Sequence, residues 1–177
     1  SNSVITNCYI HDVGGRGAVG TSGSICEFTH FANGTKTFTQ AAFIPITRNC
    51  TFSLTGASDG IMFNANEIIE GNDIWSDGGT GSGIYKGGSN KHFAVCRNKI
   101  VEGFSGVGGI GIDLSDGTSV SSYGGNAVYD NTTGINASSL VHKDFGDNET
   151  LTASAFTDAA NGDFIPVDTD NIKQGAL

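Results

Sequence analysis

"GNDIWSDGGTGSGIY", residues 71–85, sets two aspartates and a tryptophan among five glycines. Alone, it reads equally as a calcium loop, a catalytic turn or one unit of a repeat. The rest of the chain decides between these. Six segments share a small polar or sulfur residue, any residue, then a large apolar one: Cys8-Tyr9-Ile10, Cys26-Glu27-Phe28, Cys50-Thr51-Phe52, Asn72-Asp73-Ile74, Asn98-Lys99-Ile100 and Asn126-Ala127-Val128. Their spacings are 18, 24, 22, 26 and 28 residues. About a dozen residues later most carry a second mark: Ala18-Val19, Gly60-Ile61, Gly83-Ile84, Gly109-Ile110 or Gly111-Ile112, and Gly134-Ile135. A repeat of this length, built of short alternating strands and turns, is the pattern of a solenoid. The quoted stretch is thus first of all the fourth unit of a stack.

Side chains alternate between the two faces of a strand, so the Cys/Asn position and the apolar position two later share a face. Stacking coils at the strand spacing of about 4.8 Å puts like on like. That predicts an interior column from Ile10 to Val128 beside one of Cys and Asn, in which amides bond to their neighbours along the stack. Cys8, Cys26 and Cys50 would then be small buried thiols, since parallel side chains on adjacent coils give poor disulfide torsions. Cys96 lies two residues before its column and is expected unpaired. The stretch "TKTFTQAAFIPIT" (35–47) reads as a coil side with its own strand, Phe38 to Ile46. Helical periodicity is confined to one short candidate, residues 151–160.

Composition narrows the classes. Glycine is 27 of 177 residues, about twice ordinary usage, and proline only 2. Without a strict triplet this is not collagen but a chain that turns often. A net charge of −9 and a pI near 4.6 disfavour a phosphate backbone, so no nucleic-acid partner is expected. No apolar run reaches the length of a spanning helix, and none is basic and amphipathic; membrane insertion is not expected. Zinc-ribbon, thioredoxin and HExxH spacings are all missing. The opening "SNSVITNCYI" already carries a strand pattern, which suggests a piece of a longer protein.

The coil motif, Asn72-Asp73-Ile74 with Gly83-Ile84 and Asn98-Lys99-Ile100 with Gly109-Ile110, resembles that of the right-handed parallel β-helix superfamily of pectate-lyase-like proteins and phage tailspikes. The tail "FTDAANGDFIPVDTDNIKQGAL" (156–177) resembles the closing segment of such proteins. The resemblance implies an all-β, right-handed parallel β-helix of about six coils over residues 1–139, with 140–177 as a C-terminal capping segment. It implies a secreted, cell-surface or virion protein that faces a polysaccharide or surface glycan. Lyases, hydrolases and non-enzymatic adhesins share this fold, so fold alone leaves activity open. A pure scaffold, trimeric or packed end to end, or completed by an upstream domain, is the remaining alternative.

Outward positions beside the interior column suggest one exposed face carrying Tyr9, His11, Glu27, Asp73, Trp75, Lys99 and Tyr129. Flat aromatics suit the apolar side of a sugar ring, and charged groups suit hydroxyls or uronates. The plain alternative is a solvated sheet face with a weak Asp73–Lys99 ion pair. For a lyase, Lys99 or Arg97 is the candidate base, with Asp73, Asp77 or Glu70 holding Ca²⁺. These carboxylates do not cluster in sequence. "GGIGIDLSDG" (108–117) partly matches a calcium nonapeptide through Asp113, but fails at Ser115. Ser-Asp-Gly occurs at 58–60, 76–78 and 115–117, at offsets that cannot stack, and reads as turn chemistry.

Overall fold

A computed structural model describes residues 2–21, 23–33, 37–63, 67–86, 94–97, 100–115, 121–137 and 142–167. The chain is an all-β parallel solenoid. Three parallel sheets run along the stack. The first holds Val4–Thr6, Ile25–Glu27, Ile46–Arg48, Glu67–Glu70, Ala94–Arg97, Ser121–Tyr123 and His142–Asp144. The second holds Tyr9–His11, His30–Ala32, Thr51–Thr55, Asp73–Asp77, Ile100–Glu102, Ala127–Tyr129 and Glu149–Thr150. The third holds Gly15–Val19, Phe38–Phe43, Ile61–Phe63, Ser82–Lys86, Ile110–Asp113 and Thr133–Asn136. The strand expected over Phe38 to Ile46 is thus present as Phe38–Phe43, while Ile46 opens the next strand.

Register fixes the columns. Inside the second sheet, Ile10, Phe31, Phe52, Ile74, Val101 and Val128 stack, at intervals of 21, 21, 22, 27 and 27 residues. Phe31 and Phe52 lie face to face, 4.8 Å between centroids, both fully buried. Two expected coil assignments need correction here. Cys26-Glu27-Phe28 is not the second unit of this column. Cys26 belongs to the first sheet, in register with Ile5 and Thr47, and the second unit is Thr29-His30-Phe31. In the fifth unit the interior residue is Val101, and Ile100 stands outward beside Asp73. Asn98 and Lys99 lie outside the described residues.

The turn between the first two sheets explains the regularity. Its residues Asn7, Phe28, Asn49, Gly71, Gly125 and Asp147 all have left-handed φ, at 52°, 50°, 53°, 65°, 66° and 57° respectively. The next residue is buried at Thr29, Cys50, Asn72 and Asn126, though not at Cys8, where the expected burial is not found, and its carbonyl receives the following coil: His30 N–H to Cys8 O, Thr51 to Thr29, Asp73 to Cys50, Glu149 to Asn126. Asn72 bridges coils there, accepting from Cys50 N–H and donating to Thr47 O, both at 3.0 Å. Asn126 donates through backbone and side chain to Asn148 Oδ1. The interior amide column therefore exists at these positions. Cys26 and Cys50 are free and buried with sulfurs 3.8 Å apart, while Cys8 is free and exposed. The hydrogen bond with Cys26, then burial, pushes the Cys50 thiol far up, so it stays protonated.

In the third sheet the Gly-Ile mark has two causes. Ile61, Ile84, Ile112 and Ile135 form an interior column, which selects Gly111-Ile112 over Gly109-Ile110. The preceding glycines sit where coils approach closely: a Cβ on Gly83 would lie 2.7 Å from Gly111 O, and one on Gly111 2.7 Å from Gly134 O.

From Leu151 the chain turns back along the outside of the second sheet. A short antiparallel pair, Phe156–Asp158 with Asp163–Pro166, encloses a 3₁₀ turn, Ala159–Asn161, where the sequence suggests a helix over 151–160. Ala155, Phe156 and Ala159 pack on Ile100 and Ala127, with Trp75, Leu151 and Phe164 at the margin. This explains why an isoleucine stands outward at position 100: it is covered. Two polar anchors hold the segment. Ser53 Oγ donates to Ala159 O at 2.6 Å, and the Glu102 carboxylate accepts from Ser154 Oγ at 2.7 Å and Ala155 N–H at 3.0 Å.

Glu102 is 1% exposed, and burial raises its pKa more than these two bonds lower it. A carboxyl raised in the folded state contributes stability below its unfolded pKa, and this contribution is lost as pH rises through the folded value. Glu102→Gln can serve both partners, its Oε1 taking Ala155 N–H and its Nε2 donating to Ser154 Oγ. We expect Glu102→Gln to be more stable than the parent at pH 8, with the gap closing toward pH 5, as read from melting temperatures. Glu102→Ala, which orphans the Ala155 N–H, loses about 1–3 kcal/mol.

Candidate functional site

The left-handed turn column shapes the site. Asparagine, aspartate and glycine tolerate that backbone; phenylalanine there is an outlier. Phe28 nevertheless occupies it at φ 50° and is 57% exposed. Its ring therefore forgoes burial and sits on a strained backbone. It borders an open cleft of about 420 Å³ lined by Asn7, Cys8, Tyr9, Thr29, His30, Asn49 and Thr51 as well.

One wall of this cleft is aromatic. Tyr9 stacks on His11 at 4.9 Å and, across the coil boundary, on His30 at 5.2 Å, with interplanar angles of 20° and 12°. Phe164 from the returning tail meets His30 edge-on at 5.7 Å. Tyr9 is 62% exposed. His30 Nδ1 is 2.7 Å from Thr51 Oγ1, which fixes the ring, and burial lowers its pKa. His30 thus presents a neutral flat surface at pH 7. Asn7, Asn49 and the threonines supply amides and hydroxyls around it. The arrangement offers flat faces for apolar ring surface and short polar groups for hydroxyls, without a fixed counter-charge.

The remaining candidates distribute as follows. Tyr9, His11, Asp73, Trp75 and Tyr129 all lie in the second sheet; His11, Trp75 and Tyr129 share one column with Ala32, Ser53 and Glu102. The tail packs against Trp75, so the middle of the expected face is partly covered. Glu27 is a correction: it lies in the first sheet and pairs with Arg48 at 2.8 Å. Lys99 lies outside the described residues, and the position in register with Asp73 is Ile100. Arg97 stands in the first sheet beside Glu70, away from Asp73 in the second.

Asp73 and Asp77 stand at opposite ends of one strand of the second sheet, Asp113 lies in the third sheet, and no three His, Cys, Asp or Glu side chains gather among the described residues. Asp113 instead accepts from Ser115 N–H at 3.0 Å and Asn136 Nδ2 at 3.2 Å. Asp59 likewise accepts from Ser82 N–H. The residues that sequence reasoning missed are His30, in the second unit, and Phe28, in the turn just before it. Their signal was the left-handed column, legible once Asn7, Asn49 and Gly71 are aligned with Phe28. No protein-family model matches the chain, and comparisons with curated proteins and with solved structures return no match.

Proposed function

We propose that the chain is a glycan-binding module on a right-handed parallel β-helix of the pectate-lyase and tailspike kind, from a secreted, cell-surface or virion protein. The observation that carries this reading is Phe28, an exposed aromatic held in a left-handed turn beside the stacked Tyr9, His11 and His30. Backbone strain without a packing return is a mark of functional positions. Aromatic faces with adjacent amides and hydroxyls are the surface that a pyranose ring needs. An open cleft suits a chain of sugars running past it rather than an enclosed small molecule.

Two substitutions separate binding from folding. Phe28→Asn restores the residue type found at Asn7 and Asn49 in the same column. It should raise stability by about 1 kcal/mol by relieving the left-handed backbone, and weaken glycan binding. Tyr9→Ala should weaken binding with little effect on stability. The assay is affinity electrophoresis through gels containing neutral and acidic polysaccharides, with urea midpoints in parallel. Ultraviolet absorbance of unsaturated ends and reducing ends is followed on the same panel to detect cleavage. Retardation of the parent chain that both substitutions abolish supports the reading. Equal migration of all three proteins in every gel, or a Phe28→Asn protein less stable than the parent, contradicts it.

A further inference from the structure

The outer side of the third sheet carries a second constellation, on different strands from the cleft. Arg16 is exposed, and its guanidinium lies over the Phe43 ring, 5.2 Å from the centroid. Its Nε donates to Gln40 Oε1 at 2.7 Å. Gln40 is only 6% exposed, and its Nε2 donates to the Tyr85 hydroxyl at 3.0 Å.

The direction of each bond follows from chemistry. A guanidinium can only donate, so Gln40 must turn its oxygen to Arg16 and its nitrogen to Tyr85. The Tyr85 oxygen is thereby an acceptor, and its own proton points elsewhere. A buried amide thus orients two donors: the terminal Nη fork of Arg16, beyond the Nε that Gln40 occupies, and the O–H of Tyr85. Arg16 is in turn stiffened by the Phe43 ring, which lowers the entropy lost on binding.

The electrostatics are unusual for this chain. It has 18 acidic against 9 basic side chains. Arg48 has a carboxylate partner, Glu27, yet among the described residues Arg16 has none within 4 Å. The acidic side chain acting on Tyr85 is Asp59, whose Oδ1 accepts from Ser82 N–H at 2.8 Å and whose pKa is raised by burial.

We propose that Arg16, Gln40 and Tyr85 form a carboxylate-binding site, in which the planar two-oxygen group takes the Arg16 fork and the Tyr85 O–H while Gln40 acts as the positioning residue. A carboxylate matches the fork in geometry and sign. It is supplied either by a small free acid or by an acidic sugar unit, and the site is independent of the cleft at Tyr9.

The test is a titration with acetate, glucuronate and glucose, followed by nitrogen-15 shifts of the Arg16 side chain and of the backbone at 16, 40 and 85. Acetate and glucuronate are expected to give saturable shifts there, and glucose none. Arg16→Lys keeps the charge but not the fork and should weaken binding about tenfold. Tyr85→Phe should weaken it about three- to tenfold, the loss of one hydrogen bond. Tyr9→Ala should leave it unchanged, which separates this site from the glycan cleft. Tighter binding of glucuronate than acetate identifies a sugar-borne carboxylate; equal binding identifies the free group. The proposal is overturned by the absence of saturable shifts, by equal shifts with glucose, or by an unaltered affinity in Arg16→Lys with its fold intact.

Discussion

Phe52→Ala should lower the stability of the chain by about 3–5 kcal/mol. Phe52 is fully buried in the middle of the interior column, below Phe31 and beside Ile74 in register. Truncation leaves a void that rigid coils on either side cannot close, because each is fixed by backbone bonds to both neighbours. The parallel ring stack with Phe31, at 4.8 Å and 2°, adds about 0.5–1.5 kcal/mol beyond buried area. Urea unfolding measures this directly: the midpoint should fall with the slope preserved. A loss under about 0.5 kcal/mol, the range of a surface change, would mean that the column is not packed as described.

Gly103→Ala should cost about 3 kcal/mol by a different route, combining left-handed backbone strain of about 1–2 kcal/mol with overpacking of about 1–3 kcal/mol. Gly103 has φ +85°, and a Cβ there would drive into the carbonyl oxygen of Ser76 on the previous coil. That oxygen is backbone and cannot swing away. Gly103 also donates its N–H to Tyr129 O and accepts from Gly79 N–H, so a shift of its backbone disturbs two further coil contacts. Gly14→Ala is the control. A Cβ at Gly14 meets nothing within 4 Å, and its φ lies outside the left-handed region. It should be neutral or stabilising by about 0.4–1 kcal/mol. Equal losses at both positions would show that the close approach at Gly103 does not exist.

These two residues also show what the sequence makes legible. The solenoid could be read because its units repeat, and repetition of "Asn-x-Ile … Gly-Ile" has a physical cause in each element: a bridging amide, an interior column and a close approach of coils. Register was harder. Ile100 looks like an interior residue but stands outward, in register with Ala127, under the returning tail. An alternation argument assumes that one face meets water, and here part of that face meets residues 155–164, far along the chain. Cys26 misled for another reason. It is small and buried like Cys50, yet it faces the interior from the first sheet, three residues before the matching position, Thr29.

The site inherited both errors. Tyr9 and His11 were readable because the first unit aligns correctly. His30 was hidden by the three-residue offset, and Glu27 took its place in the expected face. Phe28 was read as an interior residue, since a large aromatic two positions after a cysteine fits the pattern. Its left-handed backbone and exposure reverse that reading and give the cleft its distinctive wall. The pairing of Arg16 with Gln40 and Tyr85 is nonlocal, across three strands of the third sheet, and nothing in their sequence spacing announces it.

The most direct measurement of the glycan-binding reading is a nitrogen-15 shift map of the chain titrated with an oligosaccharide retained by the gel assay. Shifts concentrated at residues 7–11, 28–30 and 49–51, and lost in Tyr9→Ala, are the expected result. Saturable shifts elsewhere with these positions unmoved, or a map unchanged by Tyr9→Ala, would contradict it.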